Sequence, residues 1–170
     1  MKKDPRPTLI LFCGLPGSGK TTLAKQLEKQ GEGIRICTDD WQNELGMNHN
    51  ENDFHRKLRE KLYAHTLELL GHGQSVILED GLWTVLDRNE KLTDASKHGA
   101  KTELHFFDLT FNQLWNRLNA RNRNLPNGAV HIEKESLKKC WNKFEKPSSE
   151  ELAAFDTVFV YKSDAKHPSS

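Results

Sequence analysis

The chain has 170 residues, enough for one domain with a full core. Its 25 Lys and Arg offset 24 Asp and Glu, and the net charge of +1 argues against a general attraction to nucleic acid or to a membrane surface. Three cysteines without C-x-x-C spacing read as reduced core thiols, and eight scattered histidines lack the spacing of a zinc site.

Residues 1–7 read as a charged, proline-containing flexible tail without the apolar segment of a secretory signal. No stretch approaches a membrane span, so the expected compartment is the cytoplasm. Thr8 to Cys13 is a short apolar run of the kind that forms a buried strand. It leads directly into Gly14-Leu15-Pro16-Gly17-Ser18-Gly19-Lys20-Thr21, which fits G-x-x-x-x-G-K-[ST] without a mismatch. From Thr22 to Lys29 the residues are good helix formers, with Leu23 and Leu27 on one face.

Strand, loop and helix in that order are the context in which this motif holds phosphate. Glycine lets the loop turn through conformations closed to other residues, so successive N–H groups converge on an anion at the positive end of a helix. Gly14 through Thr22 are therefore expected to hold the phosphates of ATP. Lys20 would reach the β- and γ-phosphates, and the Thr21 hydroxyl would ligate Mg²⁺. The bland alternative is a glycine-rich turn with no ligand.

Further along, Ile34 to Cys37 reads as a second strand running into Thr38-Asp39-Asp40-Trp41. A long helix is expected from about Glu51 to Leu70, with Phe54, Leu58, Leu62, Leu69 and Leu70 on or near one face. Val76 to Asp80 reads as a third strand, and a helix follows over Val85 to Lys97. Glu103 to Leu109 reads as a fourth strand, followed by helices over Phe111 to Arg123 and Lys134 to Phe144. After a short turn of helix comes a last strand, Thr157 to Tyr161, and then a tail over 163–170 expected to be flexible. The alternation predicts a three-layer α/β fold of the P-loop NTPase type, like a nucleoside or nucleotide kinase. It would have a five-stranded parallel sheet within a single domain over 8–162.

Ligands of such sheets bind beyond the carboxyl ends of the strands. After the second strand, Asp39 is expected to face the phosphates, taking a proton from an acceptor hydroxyl or helping to hold Mg²⁺, while Asp40 caps or supports the next helix. After the third strand, alternation favours Asp80 over Glu79 as the carboxylate turned toward the crevice, serving metal or acceptor. Trp41 and Trp83 fall at the same rim; core packing is the commoner use of Trp, and stacking a flat acceptor is the alternative. Arg117 and Arg121 share a helix face within 112–146, a segment with eight Lys or Arg against three Glu. Such a segment reads as a mobile lid whose arginines close over ATP, with a merely solvated face as the alternative. No D-x-x-G follows the third strand, and no N-K-x-D stands after a late one, which argues against a GTPase.

The chain resembles the small P-loop kinases, an AAA-type ATP-binding group that includes polynucleotide 5′-hydroxyl kinase domains, chloramphenicol phosphotransferase, gluconate kinase and zeta-toxin-like kinases. The phosphate loop, Thr38-Asp39-Asp40-Trp41, Asp80 with Arg88 eight residues on, and the run from Trp115 to Asn122 carry that resemblance. It implies that Asp39 is a general base, that Asp80 serves metal or acceptor with Arg88 on the substrate side, and that Arg121 contacts the donor phosphates. The chain departs from the group's pattern at Leu82, where an Asn is common, and at Trp41-Gln42, where an Arg or Tyr often touches the acceptor. Both departures lie on the acceptor side. The expected activity is ATP- and Mg²⁺-dependent transfer of the γ-phosphate to a hydroxyl of a small molecule, which the near-zero net charge favours. The alternatives are a polynucleotide 5′-hydroxyl kinase and a nucleotide-dependent switch or partner-binding ATPase.

Overall fold

The computed structural model describes residues 4–162, so residues 1–3 of the expected first tail and the whole of the expected tail over 163–170 lie outside the described residues. In chain order the elements are β1 (Thr8–Cys13), α1 (Lys20–Lys29), β2 (Ile34–Ile36), α2 (Thr38–Glu44), α3 (Asn52–Gly71) and β3 (Val76–Leu78). They continue as α4 (Val85–Lys97), β4 (Lys101–Phe107), α5 (Phe111–Arg123), α6 (Lys134–Lys143), α7 (Ser149–Ala153) and β5 (Thr157–Tyr161).

Leu9 to Cys13 carries no polar side chain, and a strand of that kind must be covered on both faces. β1 accordingly lies in the middle of a five-stranded parallel sheet of order β2-β3-β1-β4-β5, with Leu9, Leu11 and Phe12 fully buried. α1 covers one face, laying Leu23 and Ala24 against Ile10, Phe12 and Ile77. α3 and α4 cover the other, where Leu62, Leu70 and Ala95 meet Leu9, Leu11, Val76 and Leu104. A third cluster, Leu15, Leu109, Leu114, Leu118 and Leu137, joins α5 and α6 to the loop after β1. The result is the three-layer α/β architecture expected from the alternation. Among the described residues no helix is long and apolar enough to cross a membrane.

Several boundaries differ from the sequence expectation. β2 and β3 stop at Ile36 and Leu78, before the acidic residues that follow them. β4 begins two residues earlier than expected and stops at Phe107. On α3 the fully buried line is Leu62, Thr66 and Leu70, four apart, while Phe54 is only partly buried. Thr66 is tolerated there because its hydroxyl donates to the Leu62 carbonyl at 3.0 Å. Cys13 and Cys37 are buried free thiols, and burial pushes them up to about 11 and about 12. Pro7, expected in the tail, accepts the Lys101 N–H at 2.8 Å.

The resemblance places Arg88 beside the acceptor, but the structure seals its side chain in the core with no exposed surface. The buried face of α4 points it inward, where Nε donates to Glu151 Oε1 at 2.9 Å and Nη1 to the Leu82 carbonyl at 3.0 Å. Leu82 is the one non-glycine residue with positive φ among those described, at 43°, a conformation that disfavours Leu by about 1–2 kcal/mol. Arg88 thus holds a strained turn and does not reach the acceptor side.

Removing the charge of Glu151 leaves the Arg88 guanidinium buried and uncompensated. Glu151→Gln is expected to lower unfolding free energy by about 3 kcal/mol in urea titration at pH 7. The Arg88 hydrogen bond holds the Glu151 carboxyl below its ordinary 4.5. The stabilisation is therefore complete above that unfolded value and is lost as pH falls through the lower folded one, so the gap between wild type and variant should narrow on acidification below about pH 4.5.

Candidate functional site

The ends of β1, β2 and β3 open onto one cavity of about 1000 Å³, floored by the phosphate loop and roofed by the segment between α5 and α6. The loop needs its glycines. Gly17 has φ 83°, and a Cβ there would lie 2.7 Å from Leu118 Cγ; Gly19 has φ 102° at the start of α1. The first turn of α1 has no acidic residue and no side-chain cap, so its free N–H groups face the cavity from Gly19 onward.

Pro16 through Thr22 line the cavity, while Gly14 and Leu15 lie beneath it and anchor the loop. Gly14 N–H donates to the Gly81 carbonyl at 3.1 Å, and the Gly14 carbonyl accepts Trp83 Nε1 at 3.1 Å. Lys20 Nζ donates to the carbonyls of Gly14 at 3.0 Å and Leu15 at 2.9 Å. Burial pushes its ammonium down to about 8, against the opposing pull of Glu79, Asp80 and Asp39.

The carboxylates are arranged differently from the sequence expectation. Alternation favours Asp80 for the crevice, but β3 ends at Leu78, and a strand's alternation does not extend into the turn that follows. It is Glu79 whose Oε1 accepts the Thr21 hydroxyl. Asp80 lines the cavity too, but its Oδ2 accepts Arg59 Nε at 2.8 Å and its Oδ1 the Gly81 N–H at 3.0 Å. Asp40 does not cap α2, whose N-cap is Cys37 without a side-chain bond; its Oδ2 instead accepts Arg35 Nη1 at 2.6 Å.

Asp39, in the first turn of α2, keeps 69% of its side chain exposed and lines the cavity. Its Oδ1 lies 3.7 Å from His55 Nδ1. That nitrogen is 2.7 Å from Gln42 Oε1, and because Gln42 Nε2 is spent on the Asn48 carbonyl, Nδ1 carries the hydrogen. Trp83 lines the cavity, tied to the loop by its indole N–H. Trp41, 46% exposed, does not line it.

From the roof, Arg117 and Arg121 both line the cavity, one turn apart on α5, a helix started by a Thr110–Gln113 capping box. Arg117 Nη1 donates to the Ser18 carbonyl at 3.1 Å. Arg121 Nε is buried without a hydrogen-bond partner among the described residues, and burial lowers its pKa. The loop tip reaches across the cavity: the Gly128 carbonyl accepts Asn43 Nδ2 of α2 at 3.2 Å. Sequence reasoning missed Arg35, Asn43, His55 and Arg59. Only Arg35 carried a signal, as a lone charge inside Ile34-Arg35-Ile36.

Residues 9–147 match the profile of a family described as an AAA domain. No curated protein matches the sequence. Among solved structures, the chain is similar to one in the Pnkp1/Rnl/Hen1 RNA repair complex, with 20% identity and a TM-score of 0.69 over 84% of this chain and 45% of that one. It therefore spans less than half of that relative's length. It is also similar to Chaetomium thermophilum Kti12 in complex with ADP-AlF3, at 20% identity and TM-score 0.67 over 92% and 89% of the two chains. A gluconokinase from Sinorhizobium meliloti aligns at 16% identity and TM-score 0.61 over 94% and 85%. Likeness at these identities carries the fold.

Gly17→Ala should force the loop off its path, since Ala must adopt a left-handed backbone against Leu118. Affinity for a fluorescent ATP analogue is expected to fall at least about tenfold, equivalent to roughly 1.4 kcal/mol.

Proposed function

The chain belongs to the AAA domain family, and from that premise we propose that it is a phosphotransferase moving the γ-phosphoryl group of ATP to a hydroxyl of a small-molecule acceptor. The observation that carries this reading is the position of Asp39. It is an exposed carboxylate at the end of β2, opening onto the same cavity as Lys20 and Thr21 and close enough for its charge to act on Lys20.

In this reading the loop amides and Lys20 hold the donor phosphates, and Asp39 orients and deprotonates the acceptor hydroxyl. Arg117 and Arg121 meet the charge that develops on the transferring group and, with the segment over 124–133, exclude water. The Thr21 hydroxyl and Glu79 carboxylate, already in contact, form a pair of hard oxygen donors that fits Mg²⁺. The ion would supply charge neutralisation at the phosphates. Asp80, held by Arg59, stands on the acceptor side with Asp87.

Asp39, Asp40, Asp80 and Asp87 line the cavity, Asp80 and Asp87 against Arg59 and Asp40 against Arg35, a concentration of carboxylates unfavourable to a phosphodiester backbone. It favours a small, hydroxyl-bearing acceptor. A polynucleotide 5′ end is the second reading, motivated by the likeness to a chain of an RNA repair complex.

The test is incubation with Mg²⁺ and γ-labelled ATP against sugars, nucleosides, hydroxyl-bearing antibiotics and 5′-hydroxyl oligonucleotides. Label should move to one small-molecule class, and Asp39→Asn should reduce the transfer at least about 10²-fold. Transfer to oligonucleotides would select the second reading. Label released only as free phosphate, at the same rate in Asp39→Asn, would overturn the phosphotransferase.

A further inference from the structure

The Glu79 carboxylate is held from behind. While Oε1 accepts the Thr21 hydroxyl, Oε2 accepts Arg35 Nε at 2.7 Å and lies 2.6 Å from Arg35 Nη2. The remaining corner of the same guanidinium, Nη1, donates to Asp40 Oδ2 at 2.6 Å. Only 9% of the Arg35 side chain and 7% of the Glu79 side chain are exposed. Alternation along β2 explains how the guanidinium comes to be there. Ile36 packs into the core with α3, so its neighbour Arg35 turns to the opposite face, the side on which α1 starts at Lys20 and Thr21.

A glutamate has enough rotamer freedom that its carboxylate plane is set only by what grips it. A guanidinium grips with a rigid, planar fork, and here the fork serves two carboxylates from two different segments. One is Glu79, at the end of β3. The other is Asp40, next to Asp39 in the first turn of α2. An ammonium, a single point charge on a flexible stem, would not fix both planes at once.

We propose that Arg35 is a positioning residue: it fixes the Glu79 carboxylate so that Oε1 is presented beside the Thr21 hydroxyl, where Mg²⁺ bound with the nucleotide would be held, and it ties the helix carrying Asp39 to that carboxylate. The inference deepens the phosphotransferase reading and rests on it for the metal. Groups that orient a metal-binding carboxylate are typically worth about 10–100-fold in metal affinity.

The experiment needs no acceptor. Mg²⁺ is titrated into the full chain with a fluorescent ATP analogue, for wild type, Arg35→Met, Arg35→Gln, Arg35→Lys and Glu79→Gln. Arg35→Met should raise the half-saturating Mg²⁺ concentration by about 10–100-fold while metal-free analogue binding stays unchanged. Arg35→Lys should recover part of the loss. The Arg35→Met/Glu79→Gln double variant should lose no more than Glu79→Gln alone, because Arg35 acts through Glu79.

A folded Arg35→Met with wild-type Mg²⁺ dependence overturns the inference. Should Arg35→Met fail to fold, Arg35→Gln takes its place and the same result overturns it. A shift in Glu79→Gln but in no Arg35 variant rejects Arg35 alone and leaves the phosphotransferase reading intact. A wild type that binds the analogue equally with and without Mg²⁺ overturns the metal placement, and this inference with it.

Discussion

Arg88, without exposed surface in the first turn of α4, is the group on which the geometry above it depends. Its guanidinium meets three segments at once: Cys13 Sγ at 3.9 Å at the end of β1, the Leu82 carbonyl in the turn after β3, and Glu151 of α7. A buried charge is tolerated only with partners, and these are supplied by parts of the chain far apart in sequence. The turn it holds contains Gly81, whose carbonyl accepts the Gly14 N–H, and Trp83, whose indole donates to the Gly14 carbonyl. The phosphate loop is therefore clamped at its first residue to a turn that is itself locked from below.

Above that clamp, opposite charges are matched locally. Glu79 and Asp40 share Arg35, and Asp80 takes Arg59, with Asp87 3.9 Å from the same guanidinium. Among these strand-end carboxylates Asp39 is the exception, mostly exposed, with the imidazole of His55 at 3.7 Å and no guanidinium pairing it among the described residues. An acid left so accessible, on a helix fixed by its neighbour Asp40, combines a rigid mount with a free functional oxygen. In the proposed phosphotransferase reading, that combination is what proton transfer asks for, more than any of the paired carboxylates offers. The arginines of α5 complete the enclosure from the opposite side, with Asn43 to Gly128 bridging the gap.

The structure brings Pro16 to Thr22, Asp39, Asp80, Arg117 and Arg121 to one cavity, while Arg88 and Trp41, expected beside the acceptor, lie outside its lining. Gly14 to Thr21 follows a pattern in which each residue type is dictated by backbone geometry, so spacing alone places it. Arg88 shows the limit of that method. Its distance from Asp80 matches the small P-loop kinases, yet a residue eight positions on in a helix points wherever the helix packing turns it, and here it is turned inward. Trp41 likewise stands next to two cavity residues but lies outside the lining because α2 rotates it away.

The sequence by itself determined the parallel α/β layering, the order of elements and the phosphate loop. Each rests on local signals: apolar runs for the strands, periodicity for the helices, and glycines at fixed offsets. Only the tertiary structure decided which carboxylate meets Thr21, because β3 ends at Leu78 and the choice between Glu79 and Asp80 passes to the turn and to the guanidiniums waiting on either side. Arg35 stands 44 positions before Glu79 and Arg59 21 before Asp80, and no periodicity within a segment encodes such pairings. They exist because the sheet order sets β2 beside β3 and the packing lays α3 over it, which makes the charge pattern of the site a property of the assembled layers.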